Sequence, residues 1–271
     1  MIHYICALPC EARPLLHRFA MERVQGETPF AFHAARTRDR TLTISGVGKQ
    51  AAARAVASAA AHFKAQRHDA WMNVGIAGHM SLQPGSAALA SAVHDRNDGS
   101  VCFPRIVFAT RLPHLPLVTV DAPAFEYGTA LVDMEAAGFC AAASRLTVLE
   151  LMQVFKVVSD TPEHPARDLN AAKVTRLIES SLAEIAAVDG ELSRLSAELE
   201  SLRVAPPRYA ELLRRRHFSV TQQFQLEKLL RRWALLCPDS DPLQHADDSR
   251  GTATDLLNRL QLVLDRVPFQ L

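Results

Sequence analysis

Three carboxylates stand in this chain where an apolar run gives out. Glu11 follows the run IHYICAL, Glu135 follows ALVD at 130–133, and Asp160 closes VFKVVS. Met134 precedes Glu135, and Ser159 precedes Asp160. Carboxylates gathered at one place can transfer protons or bind hydroxyl groups through charge-assisted hydrogen bonds. The competing reading is modest. Each acid, taken singly, is a helix cap or a surface charge, because a helix N-terminus favours negative charge. Asp133 reads as an ordinary cap or strand-end acid of that kind.

The choice depends on the elements that carry these residues. Up to about residue 168, short apolar runs alternate with alanine-rich segments. The pattern predicts strands over 2–8, 41–47, 70–75, 87–93, 105–109, 117–121 and 149–158, with helices over 11–19, 49–64 and 134–145. Such alternation implies an α/β domain with a largely parallel sheet, and in those sheets ligands bind beyond the carboxyl ends of the strands. Glu11, Glu135 and Asp160 all fall there, so one sheet edge would collect them. Two glycine turns share that edge. In TLTISGVGKQAAARAV, Gly46, Gly48 and Ala51 satisfy the loose dinucleotide fingerprint, with Asp69 about 20 residues on. A tight strand-to-helix turn explains the same residues. It is not a phosphate loop of the Walker type, because Gln50 follows Lys49. In NVGIAGHMSLQPG, Gly75 and Gly78 would let backbone N–H groups approach a ligand.

From about residue 170 no strand is expected. Ile185, Val188, Leu192, Leu195, Leu199 and Leu202 step by three and four, a short heptad-like seam that Ala205-Pro206-Pro207 ends. Helices over 209–236 and 254–267 follow. The first carries Arg214, Arg215 and Arg216 among Tyr209, Phe218, Phe224 and Trp233. This is either a surface for nucleic acid or an acidic protein, or a solvated helix face with its aromatics in a core.

Bulk composition excludes several classes. The chain has 271 residues, 48% of them apolar, so a sizeable core is affordable. A formal net charge of +1 excludes a polycation. The five cysteines are scattered with no CxxC pair, which suggests neither a disulfide framework nor a zinc knuckle. No basic segment precedes an apolar run at the N-terminus, and no run is long enough to span a membrane. A cytoplasmic protein is expected. His94-Asp95 and Asp160 with His164 are the nearest approach to metal-ligand spacing, and loop positions account for both, so no metal and no cofactor are expected.

Several segments together resemble the nucleosidase and nucleoside phosphorylase superfamily, above all the methylthioadenosine/S-adenosylhomocysteine nucleosidases. ALPCEARPLL resembles the family's first strand-to-helix element, and SGVGKQAAARAV its SGIGKxNAA loop. NVGIAGHMSLQPGSAALAS resembles NTGSAGGL with the strand entry after it; LVDMEAAGF and FKVVSD resemble VEMEA and VRAISD. The resemblance implies a phosphorylase-like mixed sheet flanked by helices over residues 1–186; the strand-free pattern after it predicts an all-α appendage over 187–271. It also implies roles. Glu11 would polarise the attacking water. Met134 and Glu135 would hold the ribose by its face and its hydroxyls. Asp160 would protonate the purine as the glycosidic bond breaks. Gly75, Ile76, Ala77, Gly78 and Ser159 would line the substrate. A homodimer follows from the resemblance alone.

The sequence also departs from the family. Ile76 replaces the hydroxyl residue of the first glycine turn, and His79 replaces its second glycine. Lys156 replaces the arginine of VRAISD, keeping the charge and losing the fork. Arg13 is the one candidate for a phosphate-binding arginine. The interval from Ser91 to Asp133 is short, and Phe125 and Tyr127 are what it offers for stacking on a base or for filling a loop. Hydrolysis of the N-glycosidic bond of a purine nucleoside or 5′-thionucleoside is the expected activity. The alternatives are a catalytically impaired nucleoside-binding or assembly protein whose basic helix contacts a partner, and a phosphate-dependent phosphorylase.

Overall fold

The structure, a computed structural model, describes residues 1–25, 29–122, 128–201, 204–245 and 251–267. Phe125 and Tyr127 lie outside the described residues. In chain order the elements are β1 (Ile2–Cys6), α1 (Pro9–Arg18), β2 (Met21–Arg23), β3 (Ala31–Ala35), β4 (Arg40–Ile44), α2 (Lys49–Phe63), β5 (Ala70–Gly78), β6 (Ala87–Asp95), β7 (Val101–Cys102), β8 (His114–Thr119), β9 (Leu131–Asp133), α3 (Ala136–Ala143), β10 (Met152–Asp160), α4 (Ala171–Ser180), α5 (Leu182–Ser201), α6 (Tyr209–Arg215), α7 (Val220–Leu236) and α8 (Ala253–Asp265). The chain divides into two compact units, Met1–Leu199 and Glu200–Leu271.

The first unit is a mixed sheet flanked by helices. β1, β4, β5 and β10 run parallel, and β3 and β2 add antiparallel strands beyond β4. On the other side, β5 pairs with β10, β10 with β6, β6 with β8, β8 with β9, and β9 with β5, so these five strands close on themselves. Side chains alternate between two cores, as a strand period of two requires. From β5, Ala70, Met72 and Val74 face one core with α1, α4 and α5; Trp71 and Ala77 face the other with α2 and α3. Covering both faces explains why the strands read as nearly continuous apolar runs.

Several expected elements are displaced. Residues 105–109 form no strand: Phe108 is buried and Val107 is 53% exposed, so the alternation belongs to a segment laid along the surface. β2 and β3 carried too few large apolar residues to be recognised. The expected helix over 209–236 is two helices. Ser219 accepts a hydrogen bond from the Gln222 backbone N–H, and the Gln222 side chain answers to the Ser219 backbone, a capping box that starts α7 afresh.

The unit boundary also falls later than residue 186, and the cause is α5. Ile185, Val188 and Leu192 belong to the core of the first unit, with Leu195 and Leu199 packed against it. Each such side chain contributes about 1.5–3 kcal/mol on full burial. Buried Asp189 fixes the helix in place. Its carboxylate accepts from the Tyr4 hydroxyl at 2.5 Å and from Arg40 Nη2 at 2.6 Å. From Ile185 to Leu199 the heptad-like seam is therefore the inner face of a helix docked on the sheet domain, and Leu202 lies outside the described residues.

The second unit has its own core, built from Leu212, Phe218, Leu226, Leu230, Trp233, Leu256 and Leu260. Trp233 donates its indole N–H to the Ser240 carbonyl at 2.8 Å.

Candidate active site

The parallel register brings the acids together. β5 lies between β1 and β10, and Gly78 at its end pairs with Asp160 on one side and with Val132 on the other. The segments bearing Asp160 and Met134-Glu135 thus flank the end of β5, while α1, after β1, carries Glu11. A cleft of about 220 Å³ opens there. Glu11, Ile76, Ala77, Gly78, Met134, Glu135, Ser159 and Asp160 all line it, as do Asp133 and apolar Val47 and Leu169. Gly75 does not. It lies beneath, where a Cβ would stand 2.9 Å from Glu11 Oε1 and 3.4 Å from Lys156 Nζ.

Backbone N–H groups hold Glu11 and Glu135, and a neighbouring hydroxyl holds Asp160. Glu11 is 3% exposed. Its Oε2 accepts from the Ala7 and Leu8 N–H groups at 3.0 and 2.9 Å, and its Oε1 from the Ile76 N–H at 3.0 Å. Glu135 Oε1 accepts from the Gly48 N–H at 2.8 Å. Gly48 has φ +101°, a conformation that favours glycine. The fingerprint-like loop therefore spends an amide on a protein carboxylate. Asp69, the acid that would complete the fingerprint, bonds to the Gln66 N–H and lies 3.5 Å from His3 Nε2, at the opposite end of the strands. The Ser159 hydroxyl donates to the Asp160 carboxylate. The Asp160 carbonyl accepts from the His79 N–H at 3.0 Å.

His79 has a structural task of its own. Its Nδ1 accepts from the Ser81 and Leu82 N–H groups, which leaves the proton on Nε2, facing the Thr129 carbonyl at 3.3 Å. It folds the turn after β5. Neither metal-like spacing gathers ligands: Asp95 pairs with Lys49 at 2.7 Å, and the His164 N–H donates to the Thr161 hydroxyl. Among the described residues no group of three or more His, Cys, Asp or Glu is placed to hold a metal ion.

Two residues stand out that sequence reasoning undervalued. Lys156 is 1% exposed in the middle of β10, with Nζ 2.8 Å from Asp133 Oδ2. Asp133 also accepts from the Thr119 hydroxyl at 2.7 Å and caps the Ala136 N–H at 2.9 Å. It is the anchor that joins β8, β10 and the start of α3. The sequence signal was a single lysine inside an apolar strand, which demands a buried acid as partner.

The electrostatics follow from this arrangement. Burial alone would lower the Lys156 pKa, but Asp133, Glu135 and Glu11 together raise it above the ordinary lysine value. Burial pushes the Glu11 carboxyl up, and Lys156 and three backbone N–H groups pull it only part of the way back. Burial likewise raises Glu135, against the pull of Lys156 and the Gly48 N–H, with Asp133 pushing it higher. Among the described residues, no lysine or arginine lines the cleft, and Arg13 is exposed on α1. The cleft thus offers acids and backbone to a ligand, with the Lys156 ammonium buried underneath.

Solved structures share this architecture. The 5′-methylthioadenosine nucleosidase of Arabidopsis thaliana superposes with a TM-score of 0.57 at 16% identity, over 70% of this chain and 95% of that one. The 5′-methylthioadenosine/S-adenosylhomocysteine nucleosidase of S. pneumoniae, solved with a transition-state inhibitor, gives 0.55 at 20% identity, over 72% and 98%. The fold is that of the nucleosidases. Futalosine hydrolase of Helicobacter pylori shares it too, with a TM-score of 0.54 at 14% identity over 73% and 97%. No protein-family model matches the chain, and no curated protein matches its sequence. The nucleosidase fold accounts for nearly the whole of each solved relative and leaves a substantial part of this chain outside the match.

Proposed function

We propose that this chain is an N-glycosidase that hydrolyses a purine nucleoside or 5′-thionucleoside. The observation that carries the reading is the single cleft lined by Glu11, Met134, Glu135, Ser159 and Asp160 at the strand ends. A breaking glycosidic bond leaves positive charge on the ribose and negative charge on the base. Carboxylates around the ribose stabilise the first, and a proton delivered to the base neutralises the second. In this scheme Glu135 binds the ribose hydroxyls and Met134 lies against the sugar. Asp160, oriented by Ser159, donates to the base. Glu11 has three of roughly four lone-pair positions filled by N–H groups, so one remains to orient a water.

Water is favoured over phosphate as nucleophile. Phosphate needs cationic or N–H donors, and this lining supplies carboxylates and no lysine or arginine among its described members. The test is release of free base from a panel of purine nucleosides, with and without phosphate. Strict dependence on phosphate would replace hydrolysis by phosphorolysis.

One observation favours a second reading. Glu11 is so fully engaged by backbone that it serves equally as a structural clamp between β1, α1 and β5. The cleft would then bind a nucleoside without turning it over. Calorimetric binding with no base released would establish that case. The expected homodimer, the cytoplasmic location and a partner for the basic helix belong to the same proposal. Among the described residues, no helix is long and apolar enough to cross a membrane. Of the aromatics interleaved with the arginines, Phe218 and Trp233 are buried and Phe224 is exposed.

A further inference from the structure

Lys49, the first residue of α2, does not line the cleft. Its neighbour Gly48 nevertheless holds Glu135, through the backbone N–H that meets Oε1 at 2.8 Å. No side chain caps the start of α2, and Gly48 stands at φ +101°, so the direction of that N–H depends on what anchors the turn. The Lys49 ammonium is such an anchor. Its Nζ lies 2.7 and 2.9 Å from the two oxygens of Asp95, which ends β6, and 3.0 Å from Asp121, just past β8. Asp95 is buried and accepts from the Asn97 N–H at 2.9 Å, and the Asn97 side chain donates to Asp121. Asp121 follows Val120, which lines the cleft and donates its N–H to the Asp133 carbonyl at 2.8 Å. We infer that Lys49 is a positioning residue for the ribose: it fixes the Gly48 amide, and through it the Glu135 carboxylate, against the ends of β6 and β8. The inference rests on the proposal that Glu135 binds the ribose hydroxyls.

Charge decides what removal does. Lys49→Met leaves the Asp95 and Asp121 carboxylates facing one methionine, with no cation between two like charges. They separate by moving the first turn of α2 or the segment after β8. The first movement takes the N–H away from Glu135, and the second displaces Val120. Lys49→Arg keeps the charge and offers N–H donors to both acids, so it should keep the clamp.

The test measures binding by calorimetry, and KM and kcat for base release, at a temperature where every variant is folded. The probes are adenosine and inosine beside their 2′,3′-dideoxy counterparts. Lys49→Met should bind the ribosides about 10-fold or more weakly, the scale of one hydrogen bond to a charged group, and the dideoxynucleosides as before. Lys49→Arg should restore the ribosides. In Glu135→Gln the same substitution should add little, because two changes that act through one contact are not additive. Ribosides and dideoxynucleosides weakened alike would overturn the inference, as would a lower melting temperature with riboside binding unchanged, or full additivity with Glu135→Gln. An unaltered chain that neither binds nor cleaves any of the four removes the nucleosidase reading, and the inference with it.

Discussion

Gly75 has room for a hydrogen and little else. Its α-carbon faces the Glu11 carboxylate and the Lys156 ammonium, so Gly75→Ala would force one of two buried charged groups to move. We expect a loss of about 1–3 kcal/mol in denaturant unfolding, as overpacking of a filled interior costs, together with weaker base release. Lys156→Met asks a different question of the same cluster. It strands Asp133 without its counter-ion, for which breaking a buried pair costs about 3–5 kcal/mol near neutral pH. The deficit should shrink as pH falls, since protonated carboxyls no longer need the ammonium; a deficit constant with pH would contradict the charge argument. The raised pKa values of Glu11 and Glu135 give a sign of their own. The folded state binds their protons more tightly than the unfolded chain does, so each carboxylate costs stability above its unfolded pKa and returns it as pH falls through the folded one. Activity that needs both ionised should therefore fail on acidification at a pH above the ordinary carboxylate range, which a profile of kcat/KM against pH will report. At this scale the sequence was legible where an acid ended an apolar run. It was not legible for Asp133, whose importance comes from Lys156 and Thr119, 23 and 14 positions away.

Helices α2 and α3 meet more closely than most. A Cβ on Gly138 would lie 1.8 Å from the Lys49 carbonyl oxygen, backbone against backbone with no flexible group to yield. Gly138→Ala should separate the helices, destabilise the fold by at least about 1–3 kcal/mol and displace Met134-Glu135, measurable as a drop in melting temperature. This explains the alanine-rich run after Glu135: small side chains let α3 approach the N-terminus of α2, whose Gly48 N–H holds Glu135. The strands that end at the site were readable from their continuous apolar runs. The closing of five of them on themselves was not, because β9 is three residues long and its pairings depend on distant partners. The break before α7 was written in the Ser219 and Gln222 capping box, but an uninterrupted amphipathic pattern masked it.

Across the whole molecule, α5 decides where the first unit ends. A fragment ending at Ser201 keeps Val188, Asp189 and Leu192 and should unfold cooperatively. One ending at residue 186 loses Val188 and Leu192 from the core and leaves Tyr4 and Arg40 without their buried acid; we expect it to lack a cooperative transition. Equal folding of both fragments would contradict the packing assigned to α5. The heptad-like spacing identified the helix correctly and left its partner undetermined, since an apolar stripe fits a sheet as well as another helix.

The central claim is that the acids at the strand ends break an N-glycosidic bond with water. Chromatography of free base released from 5′-methylthioadenosine, adenosine and inosine tests it most directly, with the unaltered chain beside Asp160→Asn and Glu135→Gln. The account predicts base release that needs no phosphate and falls by at least about 100-fold in Asp160→Asn, the scale of a lost general acid. Release that requires phosphate, or none above that of Asp160→Asn from any substrate, would contradict it.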